Sequence, residues 1–333
     1  MSEFAVPAEL PVDLLAQIDS ANNAGLSELL QHVFYACRLI GNSLRNLGMS
    51  SDKVGTINSF GDTQLDVDIK TDEIVFSCLK ASNLVHVAAS EENPIEIDCS
   101  NENINIIGGG YSVAFDPLDG SSIVDANFAV GTILGIWPGK GLLNRFGREQ
   151  SASLVCMYGP RVTIALALNA NTTINKTAIS IELTMAQSGW IITRDIFKIA
   201  PIAKTFAPGN LRATSDNPKY KQLVDYWINN KFTLRYSGGL VPDVYHILIK
   251  GEGVLANASS PTAKAKLRLL FEAAPIALII ESAGGKSVVC ASEANEPIEP
   301  VSLLDVPISD LDKRVGVCYG SQAECDRFIS VLF

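Results

Sequence analysis

The sequence predicts an α/β protein of two domains, and three observations lead to that prediction. The chain has 333 residues, 47% of them hydrophobic, which suits two moderate domains or one large α/β unit with a substantial core. Apolar runs at 131–137 and 162–168 have strand character, and the apolar residues from Leu26 to Leu47 have helical periodicity. A break near 193–209, with two prolines and mixed polarity, divides the chain. We therefore predict an N-terminal domain of residues 1–195 and a C-terminal domain of residues 196–333.

Charge and cysteine content exclude several classes of protein. The chain carries 26 basic and 36 acidic residues, a net charge of −10, which argues against nucleic acid or an anionic membrane as partners. No apolar run reaches the length of a membrane span, and residues 1–11 lack the pattern of a signal peptide, so the chain as given is expected to be soluble and cytoplasmic. The seven cysteines are scattered inside apolar runs and are expected to be reduced.

The first elements are predicted from periodicity. Residues 1–20 lack a periodic pattern and are typical of a loosely attached arm. From Leu26 to Leu47, apolar residues recur at spacings of three and four residues, which predicts a long helix. Residues 50–64 are polar and contain two glycines, which predicts a mobile loop. The alternation over 65–69 then predicts a short strand that carries Asp66.

The central motif of the chain is Phe-Asp-Pro-Leu-Asp-Gly-Ser-Ser at 115–122, directly after an apolar, strand-like run. Pro117 favours a tight turn, in which the carboxylates of Asp116 and Asp119 converge with the carbonyl of Leu118 as three hard oxygen donors. The motif is therefore suited to hold a cation.

The end of the same motif is suited to hold a phosphate. Gly120 lets the backbone approach a ligand closely, and Ser121 and Ser122 open a predicted helix whose free amides attract an anion. The simpler alternative is an ordinary strand-to-helix turn in which Asp119 caps the helix.

A second acidic pair, Glu91 and Glu92, follows the strand-like run 85–90. Adjacent carboxylates repel each other unless they are solvated or bound to metal. If the two strands are neighbours in one sheet, four carboxylates meet at its carboxyl edge, where open α/β sheets place their ligands. Ligands that are all oxygen favour magnesium or manganese over zinc.

These two motifs together resemble the sugar bisphosphatases, the family of fructose-1,6-bisphosphatase and sedoheptulose-1,7-bisphosphatase, within the metal-dependent, lithium-sensitive phosphatases. The resemblance runs from about Leu26 to the C-terminus, and three segments, 123–128, 238–244 and 260–266, are more similar to the sedoheptulose branch. It implies the sugar-phosphatase fold, with alternating α-β-α-β-α layers and two mixed sheets. It also implies a homo-oligomer, either a dimer or a tetramer.

The resemblance implies hydrolysis of the C1 phosphate of sedoheptulose 1,7-bisphosphate, with two or three magnesium ions per site and manganese as an alternative. Fructose 1,6-bisphosphate is the alternative substrate. Asp66 with Glu92 is implied to activate the attacking water, although Asp66 would equally suit a solvated charge on a strand face. The implied metal ligands are Glu91, Glu92, Asp116, the Leu118 carbonyl, Asp119 and Glu272.

The resemblance assigns the substrate phosphates to groups from both halves. The amides of Gly120, Ser121 and Ser122, with Arg268, are implied to hold the reacting phosphate. Asn217 is preferred to Asp216 at the remote phosphate because an amide can donate a hydrogen bond to it. Arg235 is implied to come from a neighbouring subunit. The implied remote-phosphate and sugar ligands are Asn217, Tyr220, Arg235, Tyr236, Gly239, Leu240, Asn257 and Lys266.

Two other functions stay open. An inositol-type monophosphatase shares the acidic motif, but its partner Trp-Asp-Pro motif is absent. A non-catalytic metal-binding sugar-phosphate sensor is opposed by the complete set of carboxylates. Gly25 and Gly110 stand where AMP-sensitive relatives have charged residues, which predicts little response to AMP. Only Cys37 falls in the region where plastid members carry a regulatory pair, and a plastid is the alternative location if a transit peptide has been removed.

Overall fold

The computed structural model of the chain describes residues 10–19, 22–46, 53–57, 63–100, 107–291 and 299–333, with the backbone alone for 53–57, 63–66 and 107. In this part of the chain, none of the helices has the length and apolar character needed to cross a membrane. The helices are α1 Val12–Leu15, α2 Leu26–Arg45, α3 Asp66–Ser82, α4 Pro218–Asn229, α5 Leu240–Lys250, α6 Ala274–Ser282 and α7 Gln322–Leu332.

The first half builds a hairpin and a large mixed sheet. The hairpin strands are β1 Lys53–Ile57 and β2 Thr63–Leu65. The sheet strands are β3 Val85–Ser90, β4 Ile97–Asp98, β5 Tyr111–Asp119, β6 Val130–Pro138, β7 Ala152–Tyr158, β8 Val162–Leu168, β9 Ile179–Ala186 and β10 Gly189–Arg194. Their spatial order is β10-β9-β8-β7-β6-β5-β3-β4, and only β3 and β5 pair in parallel.

The second half builds a smaller mixed sheet. Its strands are β11 Thr205–Gly209, β12 Thr233–Leu234, β13 Val254–Asn257, β14 Leu267–Arg268, β15 Lys286–Cys290 and β16 Arg314–Gly320. They lie in the order β12-β11-β13-β16, and both β14 and β15 pair with β16. The larger sheet ends at residue 194 and the smaller begins at residue 205, while the boundary at 195 stays a prediction.

Three buried clusters stack these elements in layers. The first packs α2 and α3 on one face of the large sheet. The second packs α5 and α6 between the other face of that sheet and the smaller sheet, and the third packs α4 and α7 on the outer face of the smaller sheet. The result is the α-β-α-β-α arrangement with two mixed sheets that the sequence predicts. All seven cysteines are free and buried.

Several local predictions are wrong. Residues 10–19 are not a loose arm, because Leu10, Leu14 and Ile18 are buried in the same cluster as α2. The predicted loop 50–64 contains the paired strands β1 and β2, and its remaining residues lie outside the described part. A two-stranded hairpin depends on backbone pairing and leaves little hydrophobic periodicity to detect.

The predicted strand 65–69 is also wrong, because α3 begins at Asp66. Five alternating residues suggested a strand, but buried apolar residues recur at helical spacing through Val75, Cys78 and Leu79. The longer window predicts the structure better than the short alternation. This change places Asp66 in the first turn of a helix.

Candidate active site

Both acidic segments leave one edge of the large sheet. β3 pairs in parallel with β5, with Ser90 opposite Phe115, and the amide of Glu91 donates to the carbonyl of Phe115 at 3.0 Å. The carboxyl ends of parallel neighbours point the same way. The expectation that these two strands are adjacent is therefore confirmed, and the acids of both segments meet at this edge.

The Asp-Pro-Leu-Asp segment is not the tight turn that Pro117 suggested. β5 continues to Asp119, and its register with β6 shifts between Asp116 and Asp119, which is the pattern of a β-bulge. The missing amide of Pro117 is accommodated at that irregularity. The amide of Leu118 donates to Asp116 Oδ1 at 2.9 Å and fixes this carboxylate beside the backbone.

The predicted phosphate loop begins directly after β5. Gly120 has a φ of 84°, the left-handed region that favours glycine. It is followed by a 3-10 helix from Ser121 to Ala126, in which Ser121 is partly exposed and Ser122 is exposed. The helix start predicted at these serines is present, as a 3-10 helix.

Asp119 connects the two halves of the molecule. It is 9% exposed, its Oδ1 accepts from the amide of Leu240 at 3.0 Å, and its Oδ2 accepts from the amide of Val241 at 2.6 Å. These amides begin α5, so the carboxylate caps a helix of the second half and not the one that follows it in sequence. A carboxylate at a helix N-terminus is favoured by the helix dipole.

Glu91, Asp116, Asp119 and Glu272, called here the acid cluster, lie close enough to repel one another. Glu272 is 6% exposed in a π-helical turn, Leu269–Ala273, just before α6, where the sequence predicts a helix start. Burial raises the pKa of Asp116 well above its ordinary range, and the charges of Glu91, Asp119 and Glu272 raise it further. The surroundings therefore do not stabilise the full negative charge that the cluster would carry if all four acids were ionised.

The same causes act on the other two buried acids. Burial raises the pKa of Asp119 to about 7, although the two amides of α5 oppose the shift. Burial and the charge of Glu91 raise the pKa of Glu272 well above its ordinary range, opposed by the amide and the charge of Arg268. Each of these groups would lose its proton more readily if a cation were beside it.

Arg268 is the cation that faces this cluster. It is 4% exposed, pairs through Nη1 with Glu91, and donates from Nε to Asp312 Oδ1 at 3.1 Å. Its amide donates to Glu272 Oε2 at 2.6 Å. Asp312 was missed by sequence reasoning, because an aspartate outside any motif gives no signal of a partner far away in the sequence.

The donor chemistry of the acid cluster fits a hard divalent cation. Its members are all oxygen ligands, and a cation would relieve the repulsion that raises their pKa values. As they stand, however, no three His, Cys, Asp or Glu side chains in the described ranges converge closely enough to hold a metal. Asp119 is turned to the α5 amides and Glu91 to Arg268, so these carboxylates would have to reorient.

The helix that carries Asp66 contributes two acids that sequence reasoning missed. The side chain of Asp66 lies outside the described residues, but Asp68 and Asp72 are each 5% exposed, one helical turn apart on α3. Asp72 Oδ2 accepts from Asn93 Nδ2 at 2.7 Å, and the charge of Glu92 adds to the burial that raises the pKa of Asp72. Helical periodicity read from Val67 onwards would have placed both acids on the buried face.

Two predicted phosphate ligands have their polar atoms engaged within the protein. Tyr220 is fully buried, and its hydroxyl donates to the carbonyls of Gly209 at 2.6 Å and Ala256 at 2.9 Å. Asn217 caps α4, accepting from the amide of Tyr220 at 2.9 Å and donating to the carbonyl of Ser259 at 2.7 Å. The structure does not present Tyr220 to a ligand, because an aromatic side chain at this helix position packs into the third cluster.

The other predicted substrate ligands lie on accessible surface or at the start of α5. Arg235, Tyr236 and Lys266 are exposed, and Tyr236 is near enough to Asp119 for that charge to contribute to its raised pKa, after burial and Asp243. Gly239 and Leu240 are buried at the N-terminus of α5. Asn257 ends β13, and its buried Oδ1 has no hydrogen-bond partner among the described residues.

Asp243 was also missed by sequence reasoning. It is 6% exposed, and its carboxylate accepts from the amides of Ser237 at 2.7 Å and Gly238 at 3.4 Å. These bonds hold the turn that leads to the two α5 amides on Asp119. The spacing from Ser237 to Asp243 has no standard motif, so only the fold brings them together.

Comparison with known proteins gives a consistent result. The family model for the N-terminal domain of fructose-1-6-bisphosphatase matches residues 12–181, and the model for its C-terminal domain matches residues 199–333. A chloroplastic sedoheptulose-1,7-bisphosphatase from Chlamydomonas reinhardtii is 42% identical over 96% of this chain and 77% of its own. A class 1 fructose-1,6-bisphosphatase from Geotalea uraniireducens is 34% identical over 98% of this chain and 97% of its own.

The solved structures agree with the sequence comparisons. A crystal structure of a Toxoplasma gondii protein described as a sedoheptulose-1,7 bisphosphatase superposes with a TM-score of 0.83 and 37% identity, covering 97% of this chain and 99% of its own. The ranges matched by the two family models include the acid cluster and the exposed cations of the second half.

Proposed function

The chain belongs to the fructose-1,6-bisphosphatase family, and on that premise we propose that it hydrolyses sedoheptulose 1,7-bisphosphate to sedoheptulose 7-phosphate and phosphate. The observation that carries this proposal is the acid cluster at the carboxyl edge of the sheet, followed at once by the loop of Gly120, Ser121 and Ser122. The higher identity to the sedoheptulose enzyme than to the fructose enzyme supports the choice of sugar. Hydrolysis of fructose 1,6-bisphosphate is the alternative activity.

The acids of the two segments would hold two or three magnesium ions, with manganese as an alternative. The ligand groups would be Glu91, Glu92, Asp116, the Leu118 carbonyl, Asp119 and Glu272. When bound, such ions neutralise phosphoryl oxygens, stabilise the leaving alkoxide and lower the pKa of a water. Asp119 and Glu91 would exchange part of their contacts with the α5 amides and Arg268 for this purpose.

A carboxylate from the first turns of α3 would accept the proton of the attacking water. Asp66 is the candidate given by the sequence, and the buried Asp68, two residues further along, is the candidate given by the structure. Glu92, at the exit of β3, would orient that water. Proton transfer to a carboxylate oxygen needs no covalent intermediate with the protein.

The reacting phosphate would be held by the amides of Gly120, Ser121 and Ser122, because free amides at a helix start attract an anion. Arg268 would approach it from the second half, since its guanidinium already lies against Glu91. These groups orient the phosphate in line with the attacking water.

The remote phosphate and the sugar would lie against Arg235, Tyr236, Lys266, Asn257 and the start of α5 at Gly239 and Leu240. Arg235 would reach the site of a neighbouring subunit, so we propose a homo-oligomer, either a dimer or a tetramer. Asn217 and Tyr220, given their internal hydrogen bonds, would support the pocket from beneath. Chloroplastic relatives suggest a plastid and the Calvin cycle as the setting, with the pentose phosphate reactions as the alternative.

A phosphate-release assay tests the proposal. The purified chain is supplied with sedoheptulose 1,7-bisphosphate, fructose 1,6-bisphosphate or inositol 1-phosphate, each with magnesium and each with a chelator. We expect release from the bisphosphates with magnesium only, and fastest from the sedoheptulose compound. Release from inositol 1-phosphate alone would identify a monophosphatase, and no release from any compound would favour a sensor.

A further inference from the structure

The two adjacent glutamates, Glu91 and Glu92, lie in a turn that closes on itself. The amide of Ser90 donates to the carbonyl of Asn93 at 3.0 Å, and the amide of Asn93 donates to Ser90 Oγ at 2.9 Å. On one side the amide of Glu91 is bonded to β5 through Phe115. The orientation of both glutamates therefore depends on how the ends of this turn are fixed.

Asp72, on α3, is bonded to the end of the turn at Asn93. Its Oδ2 accepts from Asn93 Nδ2 at 2.7 Å, and the hydroxyl of the fully buried Ser90 is near enough to oppose the effect of burial on the pKa of Asp72. The carboxyl group is 5% exposed, and its Oδ1 has no hydrogen-bond partner within the described ranges. A buried acid with a free oxygen, beside another acid, is costly unless its position serves a purpose.

Asp72 lies near the two glutamates but outside the acid cluster. The charge of Glu92 is near enough to add to the burial that raises the pKa of Asp72, so the two carboxyl groups lie in the same region of the turn. Asp72 belongs to none of the implied ligand sets, and its bonds are to the turn and not to the acid cluster. It therefore acts on the glutamates through the turn.

We propose that Asp72 is a positioning residue that sets Glu91 and Glu92 for cation binding, an inference that rests on the proposed function. Groups that orient metal ligands by hydrogen bonding typically change metal affinity by about 10- to 100-fold when they are removed. Asp72 holds the turn against α3, so the two glutamates present their oxygens to the edge of the sheet before a cation arrives.

The test measures Mn²⁺ alone binding to the full chain by calorimetry, without substrate, and then the Mg²⁺ concentration that gives half-maximal turnover. Asp72→Ala removes the carboxylate, and Asn93→Ala cuts the hydrogen bond while leaving every charge in place. We expect each variant to bind Mn²⁺ about tenfold more weakly than the wild type. Each should also need an Mg²⁺ concentration about tenfold higher for half-maximal turnover. KM for substrate at saturating Mg²⁺ should change much less.

The exchange Asp72→Asn with Asn93→Asp provides the rescue, because it reverses donor and acceptor and keeps the total charge. It should recover Mn²⁺ binding, whereas Glu73→Gln, at an exposed neighbour on the same helix, should leave it unchanged. If Asp72→Ala does not fold, Asn93→Ala decides the matter.

Wild-type Mn²⁺ affinity in both alanine variants would overturn the inference, as would failure of the exchange to restore binding. A lower melting temperature without any change in Mn²⁺ binding would assign Asp72 a structural role only and would also overturn it. If the wild-type chain neither binds Mn²⁺ nor releases phosphate, the proposed function itself fails, which distinguishes that result from failure of the positioning role alone.

Discussion

The two ends of the proposed site differ in how the protein holds them. The acid cluster is mostly buried and fixed by contacts within the chain, including the α5 amides on Asp119 and the Arg268 guanidinium on Glu91. The remote-phosphate group, Arg235, Tyr236 and Lys266, is exposed. The difference indicates that contacts within the chain hold the reacting end in place, whereas the groups of the remote end are left accessible.

This comparison predicts the largest effect for Asp119. Asp119→Asn removes a charge from the cluster but keeps one oxygen for the α5 amides, so the variant should fold while kcat falls by more than about 100-fold. Steady-state phosphate release at saturating magnesium measures it. Asp125→Asn, at an exposed acid a few residues further along, is the matched control. Near-normal turnover by Asp119→Asn would remove the acid cluster from the chemistry.

The accessible end predicts a smaller effect on substrate choice. The family resemblance implies Gly-Ser-Met in fructose bisphosphatases where this chain has Gly238-Gly239-Leu240, and a tyrosine where it has Asn257, so we expect the pocket to have room for the longer sugar. A pocket that discriminates by size typically gives kcat/KM values that differ by roughly 10- to 200-fold between two substrates. We therefore expect kcat/KM to favour sedoheptulose bisphosphate over fructose bisphosphate by a factor in that range.

A single substitution sharpens this prediction. Asn257→Tyr should refill the pocket and penalise the longer sugar more than the shorter one. kcat/KM values for both substrates, in the wild type and the variant, provide the measurement. Equal wild-type values, or a preference for fructose bisphosphate, would place the chain in the other branch of the family.

The buried acids also predict how stability changes with pH. Burial raises the pKa of Asp119 to about 7 and that of Asp72 to about 6, so the folded chain keeps protons that the unfolded chain has lost. Metal-free stability should therefore fall as pH rises from about 4 through about 7, by roughly 5 °C in melting temperature.

Added magnesium should reverse this loss, because a cation replaces the protons. Melting curves with magnesium or with a chelator at pH values on both sides of this range provide the measurement, and the gain from magnesium should be larger at the higher pH. A gain that is the same at both pH values would show that cations do not act at these acids.

The smallest expected effect is that of AMP. Gly25 precedes α2 with a φ of 82°, and a Cβ there would lie 2.8 Å from Leu84 Cδ2, so the charged residue of AMP-sensitive relatives is disfavoured at this position. Gly110 has a φ of 66°. Turnover should be unchanged by micromolar AMP, and strong saturable inhibition would contradict this.

Apolar runs and helical periodicity predicted the α/β class because they report burial directly, whereas the order of the layers was predicted from the family resemblance. Sequence reasoning failed at 65–69, where five alternating residues were read without the longer helix that contains them. The spacing of Ser321 and Glu324 is typical of a capping box, and α7 does follow Ser321, but neither side chain makes the capping bonds. Ser321 instead accepts from the amide of Gly253, and Glu324 accepts from Trp227 Nε1.

For the site, the motifs located the acids but gave no information on their partners. The contact of Asp119 with Leu240 joins residues 121 positions apart, and the pairing of Arg268 with Glu91 joins residues 177 positions apart, so each connects the two proposed domains. Asp68 and Asp72 could have been placed on the buried face of α3 from its helical periodicity, whereas only the tertiary structure shows the partners of Asp243 and Asp312. Tyr220 is the opposite case. The family resemblance identified it as a phosphate ligand, but its hydroxyl donates to the carbonyl of Gly209 inside the protein.

The most direct test is phosphorus nuclear magnetic resonance of sedoheptulose 1,7-bisphosphate during turnover by the wild-type chain. The account predicts that the C1 phosphate signal disappears, that inorganic phosphate appears in equal amount, and that the C7 phosphate remains, with magnesium present and not with a chelator. Loss of the C7 phosphate, or the same rate with a chelator, would contradict the assignment of the acid cluster as the reacting end.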